Sequence, residues 1–317
     1  MINVSLVITS FNHRPYLERL LPKLGELARA GHQIIVTDDA STDGSVELLR
    51  ANADADMTFR LSTVREGVSA ATNAGLALAT NDYVALLASD DDLLPGGFDI
   101  ALAELKRTNA DLVFCRPELI NDDGVSLRSD IFPAFNRTDS DAFNEDPLSY
   151  LISRGNVICA STTFGYRDVF KQTGMFNESL LQLQDYEYWI RAAVTGFNLL
   201  ISSSCWAQYR VHENNLSRSS NNKRMQLERR SIARSLYRNK GAINIIRKKL
   251  ASYFPIVNTQ DIDSRVLLAW LLLQHVDPIL RSEGVMLAYE CLADNSHCFE
   301  LFGLSKLQIW EIANADA

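Results

Sequence analysis

The chain has no apolar run near the ~20 residues that a membrane-spanning helix needs. Its longest, Val266 to Leu273, reads as a buried helix instead. The apolar start, Val4 to Ile8, has no basic leader and ends in polar Thr9 and Ser10, so a strand is expected there and not an export signal. Cysteine is scarce: Cys115, Cys159, Cys205, Cys291 and Cys298 are odd in number and form no CxxC pair. They are expected to be reduced thiols of a cytoplasmic protein, and no Cys/His spacing fits a zinc site. Glycine-rich phosphate loops are missing too. There is no GxxxxGK[ST], and no GxGxxG follows the first strand, which disfavours P-loop enzymes and dinucleotide dehydrogenases. A nucleotide bound here would have to be held by side chains and a metal.

What remains is ordinary globular material, 47% hydrophobic and 22% charged in 317 residues, enough for a sizeable core. The net charge of −8 hides an asymmetry. Arg218 to Lys249 carries eleven Lys or Arg and one acid, Glu228, while the remainder has 20 basic and 38 acidic residues. The segment therefore stands at +10 against −18 elsewhere. Ile232, Leu236, Ile243, Ile246 and Leu250 give it apolar faces on two helices broken near Gly241. It reads either as a solvated or acid-paired face, or as a patch for anionic lipid and lipid phosphates. Nucleic acid is disfavoured by the acidic remainder and the lack of interleaved aromatics.

In the first 120 residues apolar runs alternate with helical periods. Strands are expected at Val4 to Thr9, Gln33 to Thr37, Met57 to Val64, Tyr83 to Ala88 and Asp111 to Arg116. The helices between them are a leucine-striped one capped by Asn12 and ended by Gly31, then Ser45 to Ala51, Gly67 to Ala79 and Pro95 to Thr108. This alternation predicts an α/β fold with a mostly parallel sheet covered on both faces, and ligands on such sheets bind outside the carboxyl ends of the strands. Further on, the pattern predicts a hairpin from Leu119 to Leu127 and a surface loop from Ser129 to Asp146. Strands follow at Ser161 to Tyr166, Phe197 to Ser202 and Trp206 to Val211, and the chain is mostly helical from about Asn221.

The polar loops after strands one, two and four fall together on the predicted ligand edge. Asp38 and Asp39 end the second strand, where they form a turn or meet a base N–H or ribose hydroxyl. Asp90, Asp91 and Asp92 end the fourth. One acid suffices to cap a helix, and three together point to a divalent cation beside a diphosphate. Asp185 precedes a helix, the place of an N-cap or of a general base. His212 follows the last strand, and a lone histidine is more often structural than a ligand.

Taken in order, Val4 to Asn12, Val36 to Gly44, Val68 to Gly75, Val84 to Pro95, Gln184 to Arg191 and Tyr209 to Ser217 resemble glycosyltransferase family 2. These are inverting sugar transferases of the GT-A fold, here of the bacterial surface-polysaccharide type. The resemblance implies a transferase domain over residues 1–218, with a nucleotide-sugar half (1–120) and an acceptor half (121–218), then a helical region at 219–317. It implies a nucleotide site of Thr9, Phe11, Asn12, Asp39, Asn73, Ser89 and Asp90, with Asp39 on the base. Asp90, Asp91 and His212 would hold Mg²⁺ or Mn²⁺, and Asp185 would be the catalytic base. The family's usual first acid of Asp-x-Asp is Ala88 here, the Arg of its Arg-Asn pair is Thr72, and Gln184 replaces the acid before the base.

The implied activity is transfer of a hexosyl or N-acetylhexosaminyl group from a UDP- or dTDP-type sugar to a saccharide or lipid-linked saccharide. The protein would be cytoplasmic, or peripheral at the inner face of the membrane through residues 218–249. A non-catalytic sugar-nucleotide-binding module and a nucleotidyltransferase are the alternatives.

Overall fold

The computed structural model describes residues 2–52, 56–128, 139–216, 223–238, 247 and 262–314. The chain divides into two compact units. The first comprises Met1–Asn144, Val157–Tyr188 and Phe197–Arg218; the second comprises Glu145–Asn156, Trp189–Gly196 and Ser219–Ala317.

The first unit is built on a twisted sheet. Its elements begin β1 (Val4–Ser10), α1 (Arg14–Arg29), β2 (Gln33–Asp38), α2 (Ser45–Ala51), β3 (Met57–Leu61), α3 (Val68–Leu78) and β4 (Tyr83–Ala88). A two-residue strand, β5 (Asp92–Leu93), precedes α4 (Gly97–Thr108), β6 (Leu112–Cys115) and β7 (Glu118–Ile120). In chain order the helices Ser140–Glu145 and Pro147–Arg154 follow, the latter within the second unit, then β8 (Phe164–Tyr166). The helices Arg167–Thr173 and Gln184–Thr195 come next, the last residues of Gln184–Thr195 also belonging to the second unit, and finally β9 (Leu199–Ser202) and β10 (Ala207–Arg210). The seven-stranded sheet has the order β3-β2-β1-β4-β8-β6-β9. Only β8 runs antiparallel to its neighbours, so the sheet is mostly parallel, as its periodicity predicts.

Apolar residues explain the layers. β1 is buried along nearly its whole length, as a strand covered on both faces must be. Leu17, Leu20, Leu21 and Leu24 of α1 are buried against the sheet at helical spacing. Register pairs Thr9 with Ala88 and Ser10 with Asp38, so the carboxyl ends of β1, β2 and β4 open on one edge.

Several expectations are corrected at the boundaries. Asn12 caps nothing: it sits at φ 54°, and its side-chain oxygen accepts the Thr42 N–H at 2.8 Å, tying two loops together. The third strand stops at Leu61. Pro95 lies in the turn before α4, not within it. Ala160–Thr162 is a 3₁₀ turn, and the strand behind it starts only at Phe164. Of the expected Ser129–Asp146 loop, 129–138 lie outside the described residues, while Ser140–Glu145 is helical and Asp146 caps the next helix by accepting the Ser149 N–H. The hairpin after Leu119 reduces to a turn closed by an antiparallel bridge between Ile120 and Ser126.

A second, three-stranded sheet of order β5-β10-β7 was not anticipated. Gln208 of β10 pairs with Asp92 antiparallel and with Glu118 parallel. This small sheet carries the end of the chain's first unit back to the acidic loop after β4.

The second unit holds the helices Lys223–Arg238, Ser264–Leu273, Pro278–Asp294 and Lys306–Asn314. Val266–Leu273 is buried almost throughout, as its unbroken apolar run requires. Within Lys223–Arg238, Ile232 and Leu236 are buried as expected; Gly241, Ile243, Ile246 and Leu250 lie outside the described residues. Among the described residues no helix is long and apolar enough to cross a membrane.

Candidate active site

Because β5 directly follows Asp90 and Asp91, and β10 directly precedes His212, their pairing sets His212 against the acidic loop. His212 Nε2 lies 2.9 Å from Asp90 Oδ2. The loop between β1 and α1 adds His13, whose Nε2 is 3.8 Å from the same oxygen. One ligand atom from each of His13, Asp90 and His212 lies within 4.8 Å of the other two. Two imidazoles and a carboxylate at that separation fit a divalent metal ion.

The cluster is braced on all sides. Ser89 Oγ is 2.9 Å from His13 Nδ1, and the Ser89 backbone N–H donates to Thr9 O. Tyr16 stacks on His212 with ring centres 5.1 Å apart and meets His13 edge-on at 5.5 Å. Its hydroxyl donates to Asp122 Oδ1 at 2.8 Å, and burial together with that carboxylate pushes the phenol up to about 12. The buried Arg210 donates through Nε to Asp90 O at 2.7 Å and through a guanidinium nitrogen to Asn121 O and Asp122 O. Arg210 therefore fixes loop backbone.

The three consecutive carboxylates separate by environment. Burial alone would raise Asp90, but the His212 hydrogen bond and the charges of His13 and His212 outweigh it and hold Asp90 below the usual carboxylate range. Burial and the neighbouring Asp90 charge push Asp91 well above that range, against weaker pulls from Ser161 and Arg210. Asp91 Oδ1 accepts the Arg210 backbone N–H at 2.9 Å. Asp92 pairs with Lys23 of α1. Burial also lowers His13, partly offset by Asp90, which favours the neutral ring that can bind a cation. Asp91, expected as a ligand, is thus absent from the cluster, and His13 takes a place that the sequence reading did not assign.

The expected nucleotide residues divide likewise. Asp39 accepts the N–H groups of Glu66 and Gly67 at 2.7 and 2.9 Å, and Gly67 holds φ 98°, which a side chain would strain. Phe11, one loop away, lies under the Arg65 guanidinium at 3.9 Å from its ring centre. Thr9, Phe11 and Asp39 thus cluster at the ends of β1 and β2. Asn73 does not open to a ligand. Its amide nitrogen donates to Phe176 O and Glu178 Oε1, and its oxygen accepts the Phe176 N–H, so it anchors the 176–178 turn. Asn12 is occupied by the neighbouring loop, and Ser89 by His13.

Asp185 lies in the first turn of the helix Gln184–Thr195, with Oδ1 accepting the Tyr186 N–H at 2.7 Å. The wholly buried Cys159 thiol is pushed well up, first by burial and then by the charges of Asp91, Asp185 and Asp90 together.

The family model for glycosyl transferase family 2 matches residues 5–173. TuaG of Bacillus subtilis, provisionally assigned as a teichuronic acid biosynthesis glycosyltransferase, is 26% identical over 216 residues, covering 68% of this chain and 81% of TuaG. The abequosyltransferase RfbV of Salmonella typhimurium is 32% identical over 129 residues, 36% of this chain and 39% of RfbV. Among solved structures, Staphylococcus aureus TarS 1-349 in complex with UDP-GlcNAc superposes with a TM-score of 0.60 at 15% identity, over 95% of this chain and 90% of that one. The mannosyltransferase PcManGT of Pyrobaculum calidifontis, in complex with GDP-Man and Mn²⁺, gives 0.51 at 17%, over 99% and 84%. These neighbours share the GT-A fold. With its family model spanning more than half its length, the chain belongs to glycosyl transferase family 2.

Proposed function

We propose that the protein is an inverting glycosyltransferase of polysaccharide or glycolipid assembly, taking its sugar from a nucleoside diphosphate donor of UDP or dTDP type. UDP-GlcNAc in TarS and GDP-Man in PcManGT support a nucleotide-sugar donor in general, and relatives named for teichuronic acid and succinoglycan synthesis support the product class. A hexosyl or N-acetylhexosaminyl group would pass to a hydroxyl of a saccharide or lipid-linked saccharide. The transferase would occupy residues 1–218, followed in the chain by the helical region 219–317.

Phe11 and Asp39 would receive the nucleoside, Asp39 retaining lone pairs toward a base N–H beyond those given to Glu66 and Gly67. Asp90 and His212, with His13 beside them, would hold Mg²⁺ or Mn²⁺. When bound, such an ion offsets the negative charge that grows on the leaving diphosphate. Asp185 takes the proton of the acceptor hydroxyl as that oxygen bonds to the anomeric carbon. The bond from that carbon to the diphosphate breaks on the opposite face, which inverts the centre. A placed base contributes roughly 10²–10⁴-fold.

The observation that carries this reading is the His13–Asp90–His212 cluster beside the carboxyl ends of the strands in a glycosyl transferase family 2 domain. Its test is Asp185→Asn, assayed for transfer and donor hydrolysis across a panel of nucleotide sugars and for nucleotide binding. Transfer is expected to vanish while binding persists; near-normal turnover would overturn the assignment.

Peripheral membrane attachment through 218–249 belongs to the same proposal. Within its described part, Arg229 pairs with Asp277, and Arg230 and Arg234 pair with Glu283. Attachment would therefore draw on the segment's other cations.

A further inference from the structure

Cys115 and Cys205 stand about ninety positions apart in the chain, yet the fold brings their thiols into contact. Cys115 closes β6, where it pairs with Ser202 of β9. Beyond Ser202 the chain turns, with the Ser204 N–H donating to Ser202 Oγ at 2.9 Å, and Cys205 comes back to the end of β6. There the two thiols hydrogen-bond to one another. Their outer partners order the protons. Cys115 Sγ accepts the Trp206 N–H at 3.5 Å, which leaves its own S–H for Cys205, and Cys205 Sγ donates in turn to Ala207 O at 3.3 Å.

The two environments differ. Cys115 is 3% exposed, and burial, followed by the neighbouring Cys205, pushes its thiol well up. Cys205 is half-buried, with Ser203 exposed two residues before it. The hydrogen bond from Cys115 pulls the Cys205 thiol below its ordinary value; the Ala207 and Glu118 N–H groups assist, against burial and the Glu118 charge. A reachable thiolate touching a buried thiol has the layout of an attacking and a resolving cysteine. The other three cysteines offer no such thiolate, because burial pushes Cys159, Cys291 and Cys298 upward.

We propose that Cys205 and Cys115 are a peroxide-responsive thiol pair that closes reversibly into a disulfide between the root of β10 and the end of β6. The Cys205 thiolate attacks one oxygen of hydrogen peroxide. The O–O bond breaks, hydroxide leaves and is protonated to water, and the Cys205 sulfur is oxidised to a sulfenic acid. Cys115 gives up its proton as its sulfur bonds to that of Cys205; the S–O bond breaks and a second water leaves. Two thiols and one peroxide give one disulfide and two waters, and a dithiol reductant reverses the change. The bridge closes a loop of about ninety residues in the unfolded chain, and the native thiols already touch, so it should stabilise the fold. This pair does not depend on the transfer activity proposed above.

The test treats the full chain with one equivalent of hydrogen peroxide at neutral pH. Remaining thiols are alkylated under denaturing conditions, and the peptides are mapped by mass spectrometry. A linked Cys115–Cys205 peptide is expected, with a raised urea midpoint that dithiothreitol returns to its starting value. Before oxidation, limited alkylation of the folded chain should label Cys205 ahead of the other four cysteines. Cys205→Ser should abolish the link and leave Cys115 a free thiol. Cys115→Ser should leave Cys205 as a sulfenic acid that dimedone captures, where the wild-type chain gives almost none; Cys115→Ala replaces it should the serine variant fold poorly. The labelling order in the wild-type chain needs no variant. Absence of the linked peptide, first labelling at another cysteine, or equal dimedone capture with and without Cys115 would overturn the pair.

Discussion

Substituting the two adjacent buried aspartates separates a cation ligand from a structural acid. Asp91 is 4% exposed, accepts the Arg210 N–H through Oδ1 at 2.9 Å, and has its carboxyl pushed well above the usual range by burial and by the Asp90 charge. Asparagine keeps the shape of the carboxyl group and the acceptor for the Arg210 N–H. Asp91→Asn should therefore fold with a melting temperature close to wild type and bind Mn²⁺ unchanged. Asp91→Ala removes the acceptor and leaves the Arg210 N–H buried without a partner, which costs about 1–3 kcal/mol. At about 2–4 °C per kcal/mol, the melting temperature should fall by roughly 2–12 °C. Metal affinity should fall far less than in Asp90→Asn, where the charged ligand itself is lost. That variant should weaken Mn²⁺ by more than the roughly 10–100-fold that an outer-shell loss costs. Thermal melts and calorimetry on the three variants give the comparison. If Asp91→Asn loses metal as completely as Asp90→Asn, Asp91 is a ligand and the division of roles is wrong.

Other consequences lie outside that loop. In the helical unit His275 is fully buried; its Nδ1 accepts the Asp277 N–H at 2.8 Å, and its Nε2 has no partner among the described residues. Burial lowers it from 6.5 to about 4. The fold therefore holds the neutral ring while the unfolded chain takes up a proton. Stability is full above pH 6.5 and declines by about 3 kcal/mol as pH falls through 4, so urea melts of His275→Gln should show a flatter decline over that window. Equal declines would refute the burial argument. Gly165, on β8 between β4 and β6, has no room for a side chain, since a Cβ would collide with Asp111 O and Leu112. Gly165→Ala should cost about 1–3 kcal/mol by overpacking, read from the denaturation midpoint. Flotation with liposomes should show binding at low salt only when anionic lipid is present; no flotation would remove the membrane part of the proposed function.

The parallel core of the first unit was legible because its signals are periodic. β4 and α2 start and stop where the sequence places them, at Tyr83–Ala88 and Ser45–Ala51. The leucines of α1 face the sheet as their spacing requires. What the sequence hides is pairing between segments far apart. β5 is only two residues long, too short for any alternation, and yet its bond to β10 across more than a hundred positions delivers His212 to Asp90. His13 carries a faint signal: it follows β1 at the same sheet edge as the acidic loop, and that adjacency would have nominated it. The contact of Asn73, within α3, with the Phe176 turn is hidden in the same way, because the two lie about a hundred positions apart.

Asp90, Asp91 and Asp92 pose in sequence a problem of like charges side by side. The fold answers it by direction. Where the chain leaves β4 and turns into β5, each carboxylate points to a different partner: Asp90 to two imidazoles, Asp91 inward to the Arg210 N–H, Asp92 outward to Lys23. Burial pushes the Asp91 carboxyl up, Lys23 pairs with Asp92, and the two histidines hold Asp90 low. A loop with a single acid could ligate an ion but could not also hold Arg210, and Arg210 in turn secures the Asp90 carbonyl and the 121–122 turn that receives Tyr16. The same three residues thus build the frame and the ligand, and a substitution at each should fail in a different way: metal binding at Asp90, folding at Asp91, and at Asp92 only the exposed tie to α1.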